Sequence, residues 1–348
     1  MNKLYLHANN VHQGGGRSLL LALLKAISGK YDCFATLDAR LHPLEVLFVV
    51  GSVKWVGHSV LQRLNSEWWL TRQVKKNDVL LCFGNLPPLF RSRGRVIVFV
   101  QNRYLVDPVS LHGFSVADRF RIQLERLWLI QFSKNVDLFI VQTPTMKSLL
   151  QMRISRDKPV DTLPFALSKD DSVRSVPNLA ASVLKFDFLY VASGEPHKNH
   201  GNLVEAWCLL AQAGMFPSLC LTVDEVAFPE ICRCLQTKKT NFGLRIENLG
   251  SIPYAQIQRL YGQVRALIFT SSFESLGLPL IEARQAGLAV LAPELDYVRD
   301  VLDPEQVFDP ASPISIARAV KRFLSLEKSP LVLLDAAGFL NRILQGLK

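Results

Sequence analysis

Short apolar runs alternate with longer amphipathic stretches along almost the whole of this 348-residue chain. No other feature restricts the fold as much. In the first half the runs are KLYLHAN, DCFATLD, VLFVV, DVLLCFG, RVIVFVQN and DLFIVQT, with GRSLLLALLKAI and ADRFRIQLERLWLIQFSKN among the helical stretches between them. The second half repeats the rhythm with FDFLYVAS, SLCLTVD, ENLGSI, RALIFTSS and LAVLAPE, and with the helical NLVEAWCLLAQAG, YAQIQRLYGQ and SPISIARAVKRFLS. Apolar strands that alternate with helices predict parallel sheets covered on both faces. The length suits two domains, and 49% hydrophobic residues are enough to fill two cores. Residues 167–184, LSKDDSVRSVPNLAASVL, are polar and aperiodic and read as a linker. The expectation is α/β: two Rossmann-like, doubly wound parallel-sheet domains, 1–166 and 185–330, facing across a cleft. The stretch 331–348 reads as a C-terminal helix that packs back on the first domain.

Composition removes several function classes. No run of 18 apolar residues is present, so no spanning helix is expected. The opening MNKLYLHANN turns polar too soon for a secretory signal, which points to the cytoplasm. The six cysteines are scattered in apolar segments, and Cys232 and Cys234 have no second pair at metal spacing, so free thiols rather than zinc are expected. Charge is uneven. Residues 1–165 hold 22 Lys and Arg against 11 Asp and Glu, whereas residues 166–348 hold 18 against 19. The first half therefore faces something anionic. An anionic membrane surface is favoured over nucleic acid, because no nucleic-acid module accompanies the charge. At 64–76, LNSEWWLTRQVKK sets Trp68 and Trp69 beside Arg72, Lys75 and Lys76, a mix that suits a lipid interface.

In doubly wound sheets ligands bind beyond the carboxyl ends of the strands. Three loops lie there. Residues 9–18, NNVHQGGGRS, carry Gly14, Gly15 and Gly16, which let a backbone approach a ligand closely. Residues 193–200, SGEPHKNH, place Gly194, His197 and Lys198 before a helix, with the lysine able to reach a phosphate. The third, TSSFESLGLPLIEARQAG at 270–287, holds Glu274 in a loop and Glu282 a turn into a helix that Pro279 opens. Between the two acids the N–H groups of Ser275 to Leu278 lack helical partners, and a helix start of this kind is a ready anion site. Acids around an anion site suit a ligand with both phosphates and hydroxyls, and a nucleotide sugar is one such ligand.

From Phe186 onward the chain resembles the retaining glycosyltransferases of GT-B architecture, the large Glu-x7-Glu family also called group 1 or family 4-like. SGEPHKN, FESLGLPLIEARQAG and VFDPASPISIARAV carry the resemblance; in the first half only GGGRS and the strand order support it. The resemblance implies that Glu274 lies by the transferred sugar and that Glu282 accepts from the ribose. Backbone N–H groups around Ser275, Leu276 and Gly277 would hold the diphosphate, which Lys198 neutralises as it leaves. Many members carry an arginine six residues before that lysine. Ala192 stands there, leaving charge compensation to Lys198, the helix dipole and His197. No Asp-x-Asp occurs, so neither metal nor cofactor is expected beyond the donor substrate. On the acceptor side Asn102 and Arg103 end a strand at the cleft rim, where members often have a histidine. His7, His12 and His112 read as structural or exposed as readily as catalytic.

The resulting expectation is a retaining hexosyltransferase at the inner face of a cell membrane. It moves sugar from a nucleotide-diphosphate sugar to a saccharide or lipid-linked acceptor, in cell-envelope polysaccharide (O-antigen, capsule or lipopolysaccharide) synthesis. The alternatives are a nucleotide-sugar epimerase of the same fold, which would need catalytic acids in the first domain, and a non-catalytic sugar- or partner-binding member. Intact Lys198, Glu274 and Glu282 weigh against the second.

Overall fold

The Leu-Tyr-Leu-His-Ala run at Leu4–Ala8 (β1) is covered on both faces, and it lies inside a parallel sheet. The structure, a computed structural model, describes residues 3–41, 52–57, 59–111, 114–165 and 184–326. Around β1 are Cys33–Asp38 (β2), Ser52–Val56 (β3), Val79–Cys82 (β4), Arg95–Val100 (β5), Leu138–Val141 (β6) and Val160–Thr162 (β7). They form one seven-stranded sheet in the order β3-β2-β1-β4-β5-β6-β7, every pair parallel. The second sheet has six parallel strands: Phe186–Tyr190 (β8), Leu219–Leu221 (β9), Ile246–Asn248 (β10), Val264–Ile268 (β11), Ala289–Pro293 (β12) and Gln306–Phe308 (β13). Its order is β10-β9-β8-β11-β12-β13, so the strand order reverses between β8 and β11, as it does between β1 and β4 in the first sheet.

Helices cover both faces of each sheet. Gly14–Ile27 (α1) packs on one face of the first sheet, where Leu19, Leu20 and Leu24 meet Leu6 and Ala35. Val60–Gln73 (α2) and Val116–Phe132 (α3) pack on the other, through Leu70 of α2 and Ile122 and Leu129 of α3. Pro144–Gln151 (α4) completes the first unit, with Thr143 capping its start at 3.2 Å. The second unit adds His200–Gln212 (α5), Pro229–Phe242 (α6), Tyr254–Tyr261 (α7), Leu278–Gln285 (α8), Asp296–Arg299 (α9) and Pro313–Phe323 (α10). Its core centres on Trp207, whose ring meets Phe188 edge-on at 5.6 Å and whose indole N–H donates to the Pro217 carbonyl at 2.9 Å. Trp207→Ala removes that ring from a fully packed site and should cost about 3–5 kcal/mol of stability. Denaturant unfolding measures it, and a loss under about 1 kcal/mol would mean that the site collapses freely.

Differences from the sequence reading are local. The VLFVV run lies outside the described residues, as do nearly all of 167–184 and all of 331–348. The strand found nearby, β3, alternates as Ser-Val-Lys-Trp-Val at the sheet edge. ENLGSI shortens to a strand ending at Asn248. The tryptophan pair belongs to α2 and splits. Trp68 is 45% exposed, with the Arg72 guanidinium 3.8 Å above its ring, whereas Trp69 turns inward onto Phe34 at 5.1 Å. Neighbours in a helix point about 100° apart, so one face cannot hold both.

Candidate active site

Two loops leave adjacent strands at the switch point of the second sheet, one after β8 and one after β11. They are fastened to each other through the backbone. The Lys198 carbonyl accepts from the Tyr190 hydroxyl at 2.6 Å and from the Thr270 hydroxyl at 3.2 Å. The His197 carbonyl accepts from the Ser272 N–H at 2.7 Å and the Ser271 hydroxyl at 3.1 Å. Asn199 takes a left-handed conformation (φ 62°), which its amide helps to hold by donating to the carbonyls of Thr270 and Pro310 at 3.2 and 2.7 Å. The side chains these loops present, Lys198 and Glu274, meet as an ion pair of 2.6 Å, both largely buried.

Gly277 ends the second loop with φ 72°, a left-handed conformation that favours glycine; a Cβ there would meet only the movable Cδ1 of Leu280, at 2.9 Å. Helix α8 starts at Leu278. Among the described residues, no acceptor takes the backbone N–H groups of Ser275, Leu276 or Gly277. The donors are therefore free to bind an anion beside the Lys198 ammonium. One turn on, Glu282 is 9% exposed and accepts from the Tyr261 hydroxyl at 2.9 Å. Burial raises its pKa, and hydrogen bonds from Tyr261 and Tyr254 pull the other way. Within one turn of helix the site thus offers a cation, a row of N–H donors and a carboxylate.

The opposite wall comes from the first domain. A cleft of about 700 Å³ separates the two, a size that suits a nucleotide-sized ligand. Gly15 and Gly16 line it in the first turn of α1, and a Cβ on Gly15 would stand 3.0 Å from Leu278 Cδ1, so the two helix starts nearly touch. Ser275, Leu276, Gly277, His197, Asn102 and Arg103 also line it. Gly194 does not line it; a Cβ there would run into the Phe228 ring, so its role is packing. Burial, then Lys198, lowers the His197 pKa, so its imidazole is neutral at pH 7 and adds no charge for a phosphate.

Arg103 and Asn102 are engaged by the protein itself. Asn102 caps Tyr104 N–H at 3.0 Å. The Arg103 guanidinium grips Asp296 of the second domain through two bonds of 2.8 and 2.7 Å, Asp107 at 2.9 Å and the Glu274 carbonyl at 3.3 Å, above the Phe273 ring. Tyr104 adds an aromatic contact to Phe273 at 4.4 Å and to His197 at 5.8 Å. Arg103 is therefore a clamp between the domains, set against the loop that holds Glu274. Sequence reasoning missed this clamp, as well as Tyr254 and Tyr261 behind Glu282. Nothing local marks them, since Arg103 and Asp296 are 193 residues apart. Of the three histidines held in reserve, His7 is buried and bonded to Thr36 at 2.9 Å, His12 lies beside Asp38, and His112 is outside the described residues.

Known proteins resemble this chain in sequence and in fold. Residues 178–337 match the model of the family described as "Glycosyl transferases group 1". Among curated proteins, the serotype-specific mannosyltransferase WbdA of Escherichia coli is 30% identical over 154 residues, 42% of this chain and 18% of that protein. The O-antigen chain mannosyltransferase B of Escherichia coli is 30% identical over 124 residues, 35% of this chain and 32% of that protein. The chain thus spans less than a third of either relative. Among solved structures, Anabaena HepE in complex with UDP-glucose superposes with a TM-score of 0.70 at 15% identity, over 93% of this chain and 90% of that one. The lipopolysaccharide outer core galactosyltransferase WaaB in its apo form gives 0.60 at 15%, over the same shares. These likenesses establish the two-domain GT-B fold. Residues 178–337, and with them the loops that carry Lys198, Glu274 and Glu282, belong to the glycosyl transferases group 1 family.

Proposed function

We propose that this chain transfers a sugar, with retention of configuration, from a nucleotide-diphosphate sugar to a saccharide or lipid-linked acceptor in cell-envelope polysaccharide synthesis. The observation that carries the reading is the Lys198–Glu274 pair at 2.6 Å, set between the free N–H groups of the α8 start and the ribose-ready Glu282. The diphosphate would lie on the N–H groups of Ser275, Leu276 and Gly277 and draw the Lys198 ammonium away from Glu274. Glu274, released, would face the transferred sugar. As the bond from the anomeric carbon to the diphosphate oxygen breaks, negative charge grows on that oxygen, and fixed donors stabilise it without reorganising. An acceptor hydroxyl attacks from the same face and loses its proton to the departing phosphate. Mannose is the donor sugar favoured by the two relatives, whose names are mannosyltransferases.

No metal is assigned a role here, because Lys198 and the helix start already supply the positive field. Among the described residues no group of three or more His, Cys, Asp or Glu could hold one. The test is a panel of GDP- and UDP-sugars scored for binding and slow hydrolysis in excess chelator. One sugar nucleotide should stand out with unchanged turnover. Complete loss in chelator, restored by magnesium or manganese, would show that the phosphate site has been misread.

Docking on an anionic membrane is part of the same reading. Among the described residues no helix is long and apolar enough to cross a membrane. Support comes from the first domain, where α3 exposes Val116, Phe120, Leu124, Leu127 and Ile130, each 41–81% accessible. Their spacing of four, four, three and three puts them on one stripe of the helix. Beside it, α2 adds the exposed Leu61, Leu64 and Trp68. Both helices hold the loop after β4, Trp128 donating to the Pro87 carbonyl at 2.8 Å and Glu67 accepting from Leu89 N–H at 2.9 Å, so they share one side of the sheet.

A further inference from the structure

The cleft continues past Glu282, away from Lys198. Glu282 accepts from the hydroxyls of Tyr261 and Tyr254, and Tyr254 opens α7 just after the β10 loop. From the other side, the Ala192 N–H donates to the Thr222 hydroxyl at 3.3 Å, which fastens the loop after β9 to the loop after β8. The strand order β10-β9-β8-β11 carries this end of the cleft outward from the switch point. Its lining is Thr222 and Asp224 from the loop after β9, Ser251 and Ile252 from the loop after β10, and Tyr254 and Ile257 of α7. With the diphosphate on the α8 start and the ribose at Glu282, the nucleobase falls among these six residues.

Asp224 is the charged residue that the β9 and β10 loops bring to the lining, and it is half-buried. The protein uses one of its oxygens: Oδ1 accepts from the Val226 N–H at 2.9 Å and from the Ala227 N–H at 3.0 Å. These two bonds fix the carboxylate. Among the described residues neither a donor nor a cation takes Oδ2. The base end of the cleft therefore holds a fixed carboxylate with one oxygen open.

Carboxylate oxygens accept and do not donate. Guanine sets N1–H and an N2–H side by side on its Watson–Crick edge, and an oxygen with two free lone pairs can take both. Uracil sets a single N–H between two carbonyl oxygens, which a carboxylate repels. Adenine and cytosine each put their amino group beside a ring nitrogen that carries no proton. Guanine alone meets Asp224 with two adjacent donors. Ile252 and Ile257 line the same space and give the faces of a base apolar surface.

We propose that Asp224 selects the nucleobase and that the donor is a guanosine-diphosphate sugar. This rests on the reading of the cleft as a nucleotide-sugar site and adds which nucleotide fills it.

Calorimetric titration of the full-length chain with GDP, inosine diphosphate and UDP tests it. GDP should bind about 100-fold more tightly than UDP, because two hydrogen bonds to a charged group are at stake. Inosine diphosphate, which lacks the amino group, should bind about tenfold less tightly than GDP. Asp224→Asn keeps a carbonyl oxygen for the Val226 and Ala227 N–H groups but turns an amide N–H2 to the base. It should erase the preference for GDP over inosine diphosphate. It should also raise affinity for xanthosine diphosphate, in which a carbonyl replaces the amino group, about tenfold or more over the parent. A variant that had merely lost its fold would show no such gain. A fall in GDP affinity without that gain, or a GDP preference that survives the substitution, overturns the role of Asp224. UDP bound as tightly as GDP overturns it too, and leaves the glycosyltransferase reading standing with another donor. Should none of the nucleotides bind, both readings fall. Tight, Asp224-dependent GDP binding with no transfer from any guanosine-diphosphate sugar would remove the transferase and keep the base pocket.

Discussion

Lys198→Ala is expected to lower turnover roughly 100-fold or more with the selected sugar nucleotide while leaving the melting curve nearly unchanged, because it removes a fixed charge that matters only as the diphosphate departs. The loop should survive the substitution. Its backbone is fixed by the Lys198 carbonyl, the His197 carbonyl and the Asn199 amide, none of which belongs to the deleted side chain. What disappears is the ammonium 2.6 Å from Glu274. Lys198→Arg keeps the charge but offers a planar fork in place of a compact point, so it should recover only part of the rate. Binding of the free nucleotide should weaken far less than turnover, since the α8 N–H groups still hold it. Near-normal turnover with an intact fold would remove Lys198 from the chemistry and, with it, the proposed role of the ion pair.

The parts of the fold and the site that were legible in the sequence share one property: they are local. The strand ALIF, the Gly-Leu-Pro turn and the helix after it specify their own backbone, so Glu274, Gly277 and Glu282 could be placed before any tertiary contact was known. The same holds for β8 and Lys198, where the strand runs straight into the Pro-His-Lys turn. Strands β7 and β13, three residues each, are too short to display a period and exist because a neighbouring strand pairs with them. The Arg103–Asp296 clamp depends on how two domains meet, and α9, which carries Asp296, is a four-residue helix without a pattern of its own. Arg103 was visible as a polar residue at a strand end, but its partners were not. Trp69 shows the converse. A basic, aromatic stretch reads as surface until helical geometry turns successive residues about 100° apart.

Membrane binding is expected to depend more on α3 than on the basic stretch at 64–76, and Leu124→Glu with Leu127→Glu should lower partitioning onto anionic vesicles roughly 100-fold or more. Burying a leucine side chain fully is worth about 1.5–3 kcal/mol, and these two, 50% and 65% exposed, have roughly half of that left to gain from lipid. Two new carboxylates near an anionic surface then cost about 1 kcal/mol each, for a total near 3.5–5 kcal/mol. The folded protein should tolerate both changes, because neither side chain belongs to the core that Ile122 and Leu129 form on the inner side of the same helix. Neutralising Arg72, Lys75 and Lys76 together removes at most about 1 kcal/mol apiece, and less at high salt, where the Debye length falls below about 8 Å. Vesicle sedimentation at two salt concentrations separates the contributions: the cations give the salt-sensitive part and the stripe the part that remains. Binding of the double glutamate variant equal to that of the parent, with an unchanged circular dichroism spectrum, would take α3 off the membrane. The excess of positive charge in residues 1–165 would then have to serve a soluble anionic partner.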